Sequence, residues 1–170
     1  MHDSRLTIDA VNELGRAEFV ATFGHVLEDS PVLAEIAWSR RPFADRAALA
    51  GAFAHAVDAL DDGAALALLR AHPELGTRGP MAAASVFEQS AAGLDRATDD
   101  VLTRLRHDNV TYRERFGFPF ILAVRGRTTA EIAANLEVRL GHDVDTERAE
   151  ALRQVCQIAA GRVEQVVDGP

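Results

Sequence analysis

The stretch TERAEALRQVCQIAAGRVEQVV, from Thr146 to Val167, decides the fold class. It contains no proline, and its apolar residues recur every three to four positions, at Leu152, Val155, Ala159, Val163 and Val166. That period is typical of an amphipathic α-helix with one face turned towards a core. We therefore predict a long C-terminal helix over about 146–167.

Helical periodicity also dominates the rest of the chain, and no segment alternates apolar and polar residues for long. Helix starts are marked by Pro31 at a first helical position, by Asp45 as a cap, and by a capping box, Thr128-x-x-Glu131. The predicted helices cover about 15–27, 31–40, 48–60, 64–71, 81–94, 100–115 and 128–140. We predict an all-α fold, organised as a single domain over residues 1–170.

The run FGFPFILAV, from Phe116 to Val124, is the exception to this pattern. It is apolar throughout, but Gly117 and Pro119 interrupt it. Both residue types disfavour a continuous helix. We expect a buried extended or irregular passage here.

Composition and charge exclude several classes of function. The net charge is −8, and the 18 basic residues are all arginines without a basic stripe, which argues against a nucleic acid or an anionic membrane as partner. No apolar run approaches the ~20 residues of a membrane span, and residues 1–4 lack the features of a signal peptide. The single cysteine, Cys156, rules out an intrachain disulfide and suits a reducing compartment. We expect a cytoplasmic protein.

His72 is the first candidate for chemistry. Pro73 follows it and ends the helix, so the ring is expected to project from an edge of the fold. A histidine has an ordinary pKa near ~6.5 and can give or take a proton at neutral pH. The alternative is a helix-terminal histidine favoured only by the helix dipole.

A second candidate is the segment from Ser85 to Gln89. On a helix, Ser85, Glu88 and Gln89 share one face, which brings together a hydroxyl, a carboxylate and an amide. The same Ser-x-x-Glu spacing also forms a capping box, and a polar face is often merely solvated.

Arg162 is the third candidate, because it projects from the apolar stripe of the last helix. A buried guanidinium needs an anionic partner, so we expect either an internal carboxylate or a substrate carboxylate to meet it. The alternative is that the side chain extends to the surface.

Evidence for a cofactor or a metal is weak. His25-x-x-Glu28 and His55-x-x-Asp58 have spacings compatible with a metal, but neither is the Glu-x-x-His pair of di-iron bundles. There is no phosphate loop and no dinucleotide fingerprint. Cys156 lies on the core side of its helix and is expected to be a buried, inert thiol. A helical metal-dependent hydrolase is therefore only a third hypothesis.

In chain order these motifs resemble the 2-oxo-4-hydroxy-4-carboxy-5-ureidoimidazoline (OHCU) decarboxylase family. The resemblance spans nearly the whole chain. It rests on His72-Pro73-Glu74-Leu75-Gly76, Ser85-x-x-Glu88-Gln89, Phe116-Gly117-Phe118-Pro119-Phe120-Ile121 and Ile158-Ala159-x-x-Arg162-Val163.

The resemblance implies an all-α homodimer that needs no cofactor and that forms (S)-allantoin and CO2 from OHCU in urate breakdown. It implies that His72 and Glu88 are the catalytic residues: His72 transfers a proton, and Glu88 either orients His72 or binds the substrate. The substrate-binding positions that it implies are Pro73, Ser85, Val86, Phe87, Glu88, Gln89, Phe120, Ile121, Leu122, Ala123, Val124 and Arg162. The alternative is a catalytically silent, dimeric ureide-binding protein of the same fold.

Overall fold

The structure is a computed structural model that describes residues 5–28, 30–75, 90 and 98–169. Within these ranges it contains helices and no strand longer than an isolated bridge. The helices are α1 (Ile8–Glu13), α2 (Arg16–Phe23), α3 (Pro31–Trp38), α4 (Arg46–Asp58), α5 (Asp62–Ala71), α6 (Asp99–Phe116), α7 (Thr129–Leu140) and α8 (Val144–Val166). The predicted all-α fold is confirmed. Of the helix predicted over 81–94, the structure describes only Ser90, which is helical.

Local sequence signals start most of these helices. Pro31 occupies the first turn of α3, and the Asp45 side chain accepts a hydrogen bond from the N–H of Ala48 at the start of α4. Thr128 and Glu131 form the predicted capping box of α7. The contacts of Asp45, Thr128 and Glu131 satisfy backbone N–H groups that have no partner within the helix.

Two predictions near the N-terminus need correction. Helix α1 was not expected, and α2 ends at Phe23 rather than at about residue 27. The physical reason is local: Gly24, a poor helix former, caps α2, and the N–H of Val26 then donates to the carbonyl of Phe23 at 3.0 Å, three residues back. Arg162 Nη1 donates to the carbonyls of His25 and Val26 in this turn, at 3.4 and 3.3 Å. Residues 24–28 therefore form turns instead of another helical turn.

The chain divides into two units, residues 1–68 with 156–170 and residues 69–155. The core of the first unit contains an aromatic group in which the ring centroids lie 4.7 to 6.3 Å apart. Its members are Phe19, Phe23, Phe43 and Phe53. The first unit also joins the two ends of the chain, because Leu6 forms a parallel bridge with Val167. The single-domain organisation stays a prediction.

The second unit is built around the apolar passage that follows α6. This helix ends at Gly117, whose φ of 80° is the left-handed conformation that favours glycine. Residues 117–128 are then non-helical, as predicted, and Phe118 and Phe120 pack their edges against Tyr112. The passage therefore crosses the core of this unit without the regular hydrogen bonding of a helix.

No helix among the residues described is long and apolar enough to cross a membrane.

Candidate functional site

His72 follows the last residue of α5, where its backbone N–H donates to the carbonyl of Leu69 at 3.3 Å. The prediction of a helix end is confirmed. The expectation of a ring projecting from an edge is wrong, because His72 is only 6% exposed. The chain after Pro73 turns inwards and buries Leu75, so the histidine is held inside the fold.

Helix α6 anchors the segment from His72 to Leu75. Asn109, which is fully buried, donates from Nδ2 to the carbonyl of Leu75 at 3.1 Å. One helical turn further, Arg113 pairs with Glu74 at 2.9 Å. Both contacts fix the chain directly after the histidine, which limits how far the His72 backbone can move.

The Phe120–Val124 segment lies in the same unit and is held by side chains at alternate positions. Arg139 Nη1 donates to the Ile121 carbonyl at 2.6 Å, and Gln154 Oε1 accepts from the Ala123 N–H at 2.9 Å. Arg127 Nε donates to the carbonyl of Ala123 at 3.1 Å. A non-helical segment thus obtains a defined conformation from side-chain hydrogen bonds.

Arg139 also belongs to a buried polar cluster, which it connects to this segment. Glu147 is fully buried and accepts hydrogen bonds from the Tyr112 hydroxyl and from Arg139 Nε, the latter at 2.8 Å. His142 Nδ1 lies 2.8 Å from the other carboxylate oxygen. Burial, and next the hydrogen bond to Glu147, raise the pKa of Tyr112 far above its ordinary value, so its hydroxyl remains a donor. The Arg139 guanidinium also stacks over Phe120, 4.7 Å from the ring centre.

Arg162 is 2% exposed, and its Nη2 lies 2.6 Å from Glu28 Oε1. This confirms that the arginine meets an internal carboxylate. Glu28 has a positive φ of 44°, a conformation that is rare for residues other than glycine. A strained residue whose carboxylate pairs with a buried arginine is a feature found at functional sites.

The structure brings together only part of the predicted site. His72, Pro73 and the Phe120–Val124 segment belong to the unit of residues 69–155, and Arg162 belongs to the other unit. Within residues 69–155, Arg70 lies two residues before His72, and its Nε donates to the carbonyl of Gly117 at 2.9 Å. This hydrogen bond connects the end of α5 with the passage that leads to Phe120–Val124. The segment Ser85–Gln89, with Glu88, lies outside the described residues.

Sequence reasoning missed the polar residues that support this site: Asn109, Tyr112, Arg139, Glu147 and Gln154. A usable signal existed for one of them. Arg139 continues the buried stripe of α7 that contains Ile132 and Leu136, at helical spacing. A charged residue on an apolar stripe was the argument used for Arg162, and it applies equally here.

The remaining candidates from the sequence are a metal site and the thiol of Cys156. Among the described residues, no group of three or more His, Cys, Asp or Glu side chains could hold a metal ion. Cys156 is half-buried rather than fully buried, and burial, followed by the charge of Asp58, raises the pKa of its thiol. A protonated thiol is a poor nucleophile, which agrees with the expected inert role.

Comparison with known proteins gives consistent matches. A family model described as OHCU decarboxylase matches residues 12–164. A protein of Haloferax volcanii named 2-oxo-4-hydroxy-4-carboxy-5-ureidoimidazoline decarboxylase is 42% identical, over 97% of this chain and 97% of its own length. Proteins of the same name from Halalkalicoccus jeotgali and Mus musculus are 39% and 38% identical, over 96% and 92% of this chain and 93% and 90% of their own lengths.

Two solved structures share the fold. A crystal structure of (S)-allantoin synthase matches with a TM-score of 0.77 and 29% identity, over 96% of this chain and 55% of that one. This chain therefore spans about half of that protein. A crystal structure of OHCU decarboxylase in the presence of (S)-allantoin matches with a TM-score of 0.69 and 23% identity, over 83% of this chain and 93% of that one.

The chain thus has the all-α fold of these two structures. It belongs to the OHCU decarboxylase family.

Proposed function

We propose that this chain is a cofactor-independent carboxy-lyase that converts OHCU to (S)-allantoin and CO2 in urate breakdown. The observation that carries the proposal is the family match over residues 12–164, together with relatives of that name that align along nearly their whole length. The motif residues that can be located, His72 with Pro73 and the Phe120–Val124 segment, lie in one unit and are both firmly anchored.

The substrate's own ring can accept the electron pair that decarboxylation releases, which is why the proposal includes no metal or organic cofactor. The bond between the ring carbon and the carboxylate breaks and CO2 leaves. The released electron pair forms a double bond to the carbon that bears the ureido group, while the π pair of that carbon's C=N bond moves onto the ring nitrogen. One proton from outside neutralises the ring nitrogen. The 4-hydroxyl then becomes the carbonyl of allantoin as its proton is transferred to the carbon that bears the ureido group. The protein must orient the substrate and stabilise the developing charge. It must also deliver the proton that ends on carbon to one face of the ring.

In this proposal His72 transfers the proton. A general acid or base contributes about 10²–10⁴-fold to rate when it is held at the right distance. The anchoring of the His72–Leu75 segment by Asn109 and Arg113 supports this role, because a proton must arrive at one face only. Glu88 either orients His72 or holds the ureido N–H groups.

The remaining motif residues bind the substrate. Ser85 and Gln89 offer polar groups to its edges, and Pro73 and the Phe120–Val124 segment form an apolar wall with backbone donors and acceptors. Arg162 contributes positive charge for an anionic or carbonyl oxygen, and Glu28 compensates that charge in the absence of substrate.

The test is turnover of freshly generated OHCU, with the optical activity of the allantoin as readout. His72→Ala and His72→Gln should lose decarboxylation while retaining affinity for allantoin, since proton transfer stabilises the transition state more than the bound ligand. Because His72 is buried, the melting temperature of each variant is measured on the same preparation. Wild-type protein that binds allantoin without any turnover would contradict the proposal and favour the silent ureide-binding alternative.

We also propose that the protein is a homodimer and acts in the cytoplasm. The dimer rests on the family resemblance, and the location rests on the single cysteine in 170 residues, which suits a reducing compartment. Sedimentation that shows only monomer at micromolar concentration would contradict the dimer.

A further inference from the structure

The hydrogen bonds on either side of Leu122 fix the direction of its own peptide groups. The Ile121 carbonyl points to Arg139, and the Ala123 N–H points to Gln154. Among the described residues only the bond between Arg41 and Pro42 is cis, so the peptide bonds before and after Leu122 are trans.

In a trans peptide the C=O of one residue and the N–H of the next point in opposite directions from the same plane. The Leu122 N–H shares its plane with the Ile121 carbonyl and therefore points away from Arg139. The Leu122 carbonyl shares its plane with the Ala123 N–H and therefore points away from Gln154. Both peptide groups of Leu122 are thus directed away from the side chains that hold its neighbours.

Neither of these two groups makes a hydrogen bond to any residue that the structure describes. Leu122 is also only 2% exposed. A buried backbone donor or acceptor without a partner has lost its hydrogen bonds to water, and nearly all such groups are paired in folded proteins. An N–H and a C=O on one residue match the C=O and N–H of an amide or ureide.

We propose that Gln154 and Arg139 are positioning residues that direct the N–H and C=O of Leu122 towards an amide or ureido group of the ligand. This inference rests on the proposed function, because it deepens the description of the same site. Neither residue needs to touch the ligand. Their role is to prevent rotation of the two peptide planes that flank Leu122.

Gln154 is well suited to this role because its own orientation is fixed. It is 2% exposed, and its Nε2 donates to Glu150 Oε1 at 2.8 Å. Burial alone would raise the pKa of Glu150, but hydrogen bonds from Arg153 and Gln154 outweigh it and lower that pKa. Glu150 is therefore ionised at neutral pH and remains an acceptor, which leaves the Gln154 carbonyl oxygen directed at Ala123.

The experiment compares Gln154→Leu, which cannot accept a hydrogen bond, with Gln154→Glu, which can. Gln154→Glu is made throughout together with Glu150→Gln, so that the side-chain amide at position 150 donates to the new carboxylate and two carboxylates do not meet. The matched control is Gln157→Leu, the same change at an exposed position one turn along α8. We expect Gln154→Leu to lower kcat/KM for OHCU by about 10- to 100-fold, as for other small displacements of a site. Gln154→Glu should remain within a few-fold of wild type, and Gln157→Leu should not change.

A second readout does not depend on catalysis. Hydrogen exchange of the Ala123 amide, followed by NMR, should become faster in Gln154→Leu and stay slow in Gln154→Glu. In the wild type, saturating allantoin should shift the Leu122 amide resonance and slow its exchange. That measurement needs no variant and applies even where a variant does not fold.

Three results would overturn the proposal. One is a folded Gln154→Leu protein with wild-type kcat/KM. Another is equal loss of activity in Gln154→Leu and Gln154→Glu in proportion to lower melting temperature, which would indicate a purely structural role. The third is an unchanged Leu122 amide in saturating allantoin. By contrast, wild-type protein that neither turns over OHCU nor binds allantoin would contradict the proposed function itself.

Discussion

The buried cluster around Glu147 allows a quantitative prediction. Glu147 and Arg139 are 0% and 2% exposed, and the carboxylate also accepts from the Tyr112 hydroxyl. Glu147→Leu keeps a good helix former at this position but leaves the arginine without its carboxylate. Removing one partner of a buried ion pair costs about 3–5 kcal/mol, because the remaining charge is buried without compensation.

For a protein of this size each kcal/mol corresponds to about 2–4 °C in melting temperature. Glu147→Leu should therefore lower Tm by about 6–20 °C. The double variant with Arg139→Met removes the orphaned charge but leaves the Ile121 carbonyl without its donor. The lost hydrogen bond costs about 1–3 kcal/mol, less than the orphaned charge, so the double variant should be more stable than Glu147→Leu alone. Adding Tyr112→Phe removes a buried hydroxyl without an acceptor and should restore a further ~1–3 kcal/mol.

The assay is urea unfolding followed by far-ultraviolet circular dichroism, with Tm from thermal scans of the same variants. A loss below about 1 kcal/mol for Glu147→Leu would refute the argument, because it would show that water or another group compensates Arg139. A double variant less stable than Glu147→Leu would refute it equally.

Three further predictions follow from the described residues. Stability should fall in acid: the Thr128 N–H and hydroxyl lower the pKa of Glu131 below its ordinary 4.5, so its contribution is present above that value and is lost as pH falls through the lower, folded pKa. Glu131→Ala should thus show a smaller drop in Tm between pH 7 and pH 3, and an equal drop would contradict this. Cys156 should react with a disulfide reagent at pH 8 more slowly than a free peptide thiol, because burial raises its pKa; equal rates would show that the thiol is not protected. OHCU turnover should survive exhaustive chelation, whereas activity lost to the chelator and restored by one metal would contradict a cofactor-independent mechanism.

The helices could be predicted from the sequence where their signals are local. Asp45 and the Thr128-x-x-Glu131 box are satisfied within one turn, so a short window of sequence contains the whole interaction. The interruption at Gly117 was equally local. By contrast, the turn that follows α2 is held by Arg162, more than 130 residues away, which donates to the carbonyls of His25 and Val26.

The candidate site likewise has features that could be predicted from local sequence and features that could not. The motif of His72 and the non-helical Phe120–Val124 segment were predictable, and so was a carboxylate partner for Arg162. The burial of His72 and the hydrogen bond from Ala123 to Gln154 were not, because both depend on how distant elements pack. A backbone group gives no sign in the sequence of which side chain will hold it.

The bridge between Leu6 and Val167 has a consequence for engineering. The Leu6 N–H donates to the carbonyl of Val166, and the N–H of Asp168 donates back to the Leu6 carbonyl, each at 2.8 Å. Arg5 and Asp168 also pair at 2.9 Å. Residues 5 and 168 are thus close enough to be joined by a short glycine linker, whose closure costs little entropy because the ends already meet. The chain is therefore a suitable starting point for circular permutation, in which the polypeptide is reopened at an exposed turn and its order of helices is rearranged without loss of their neighbours.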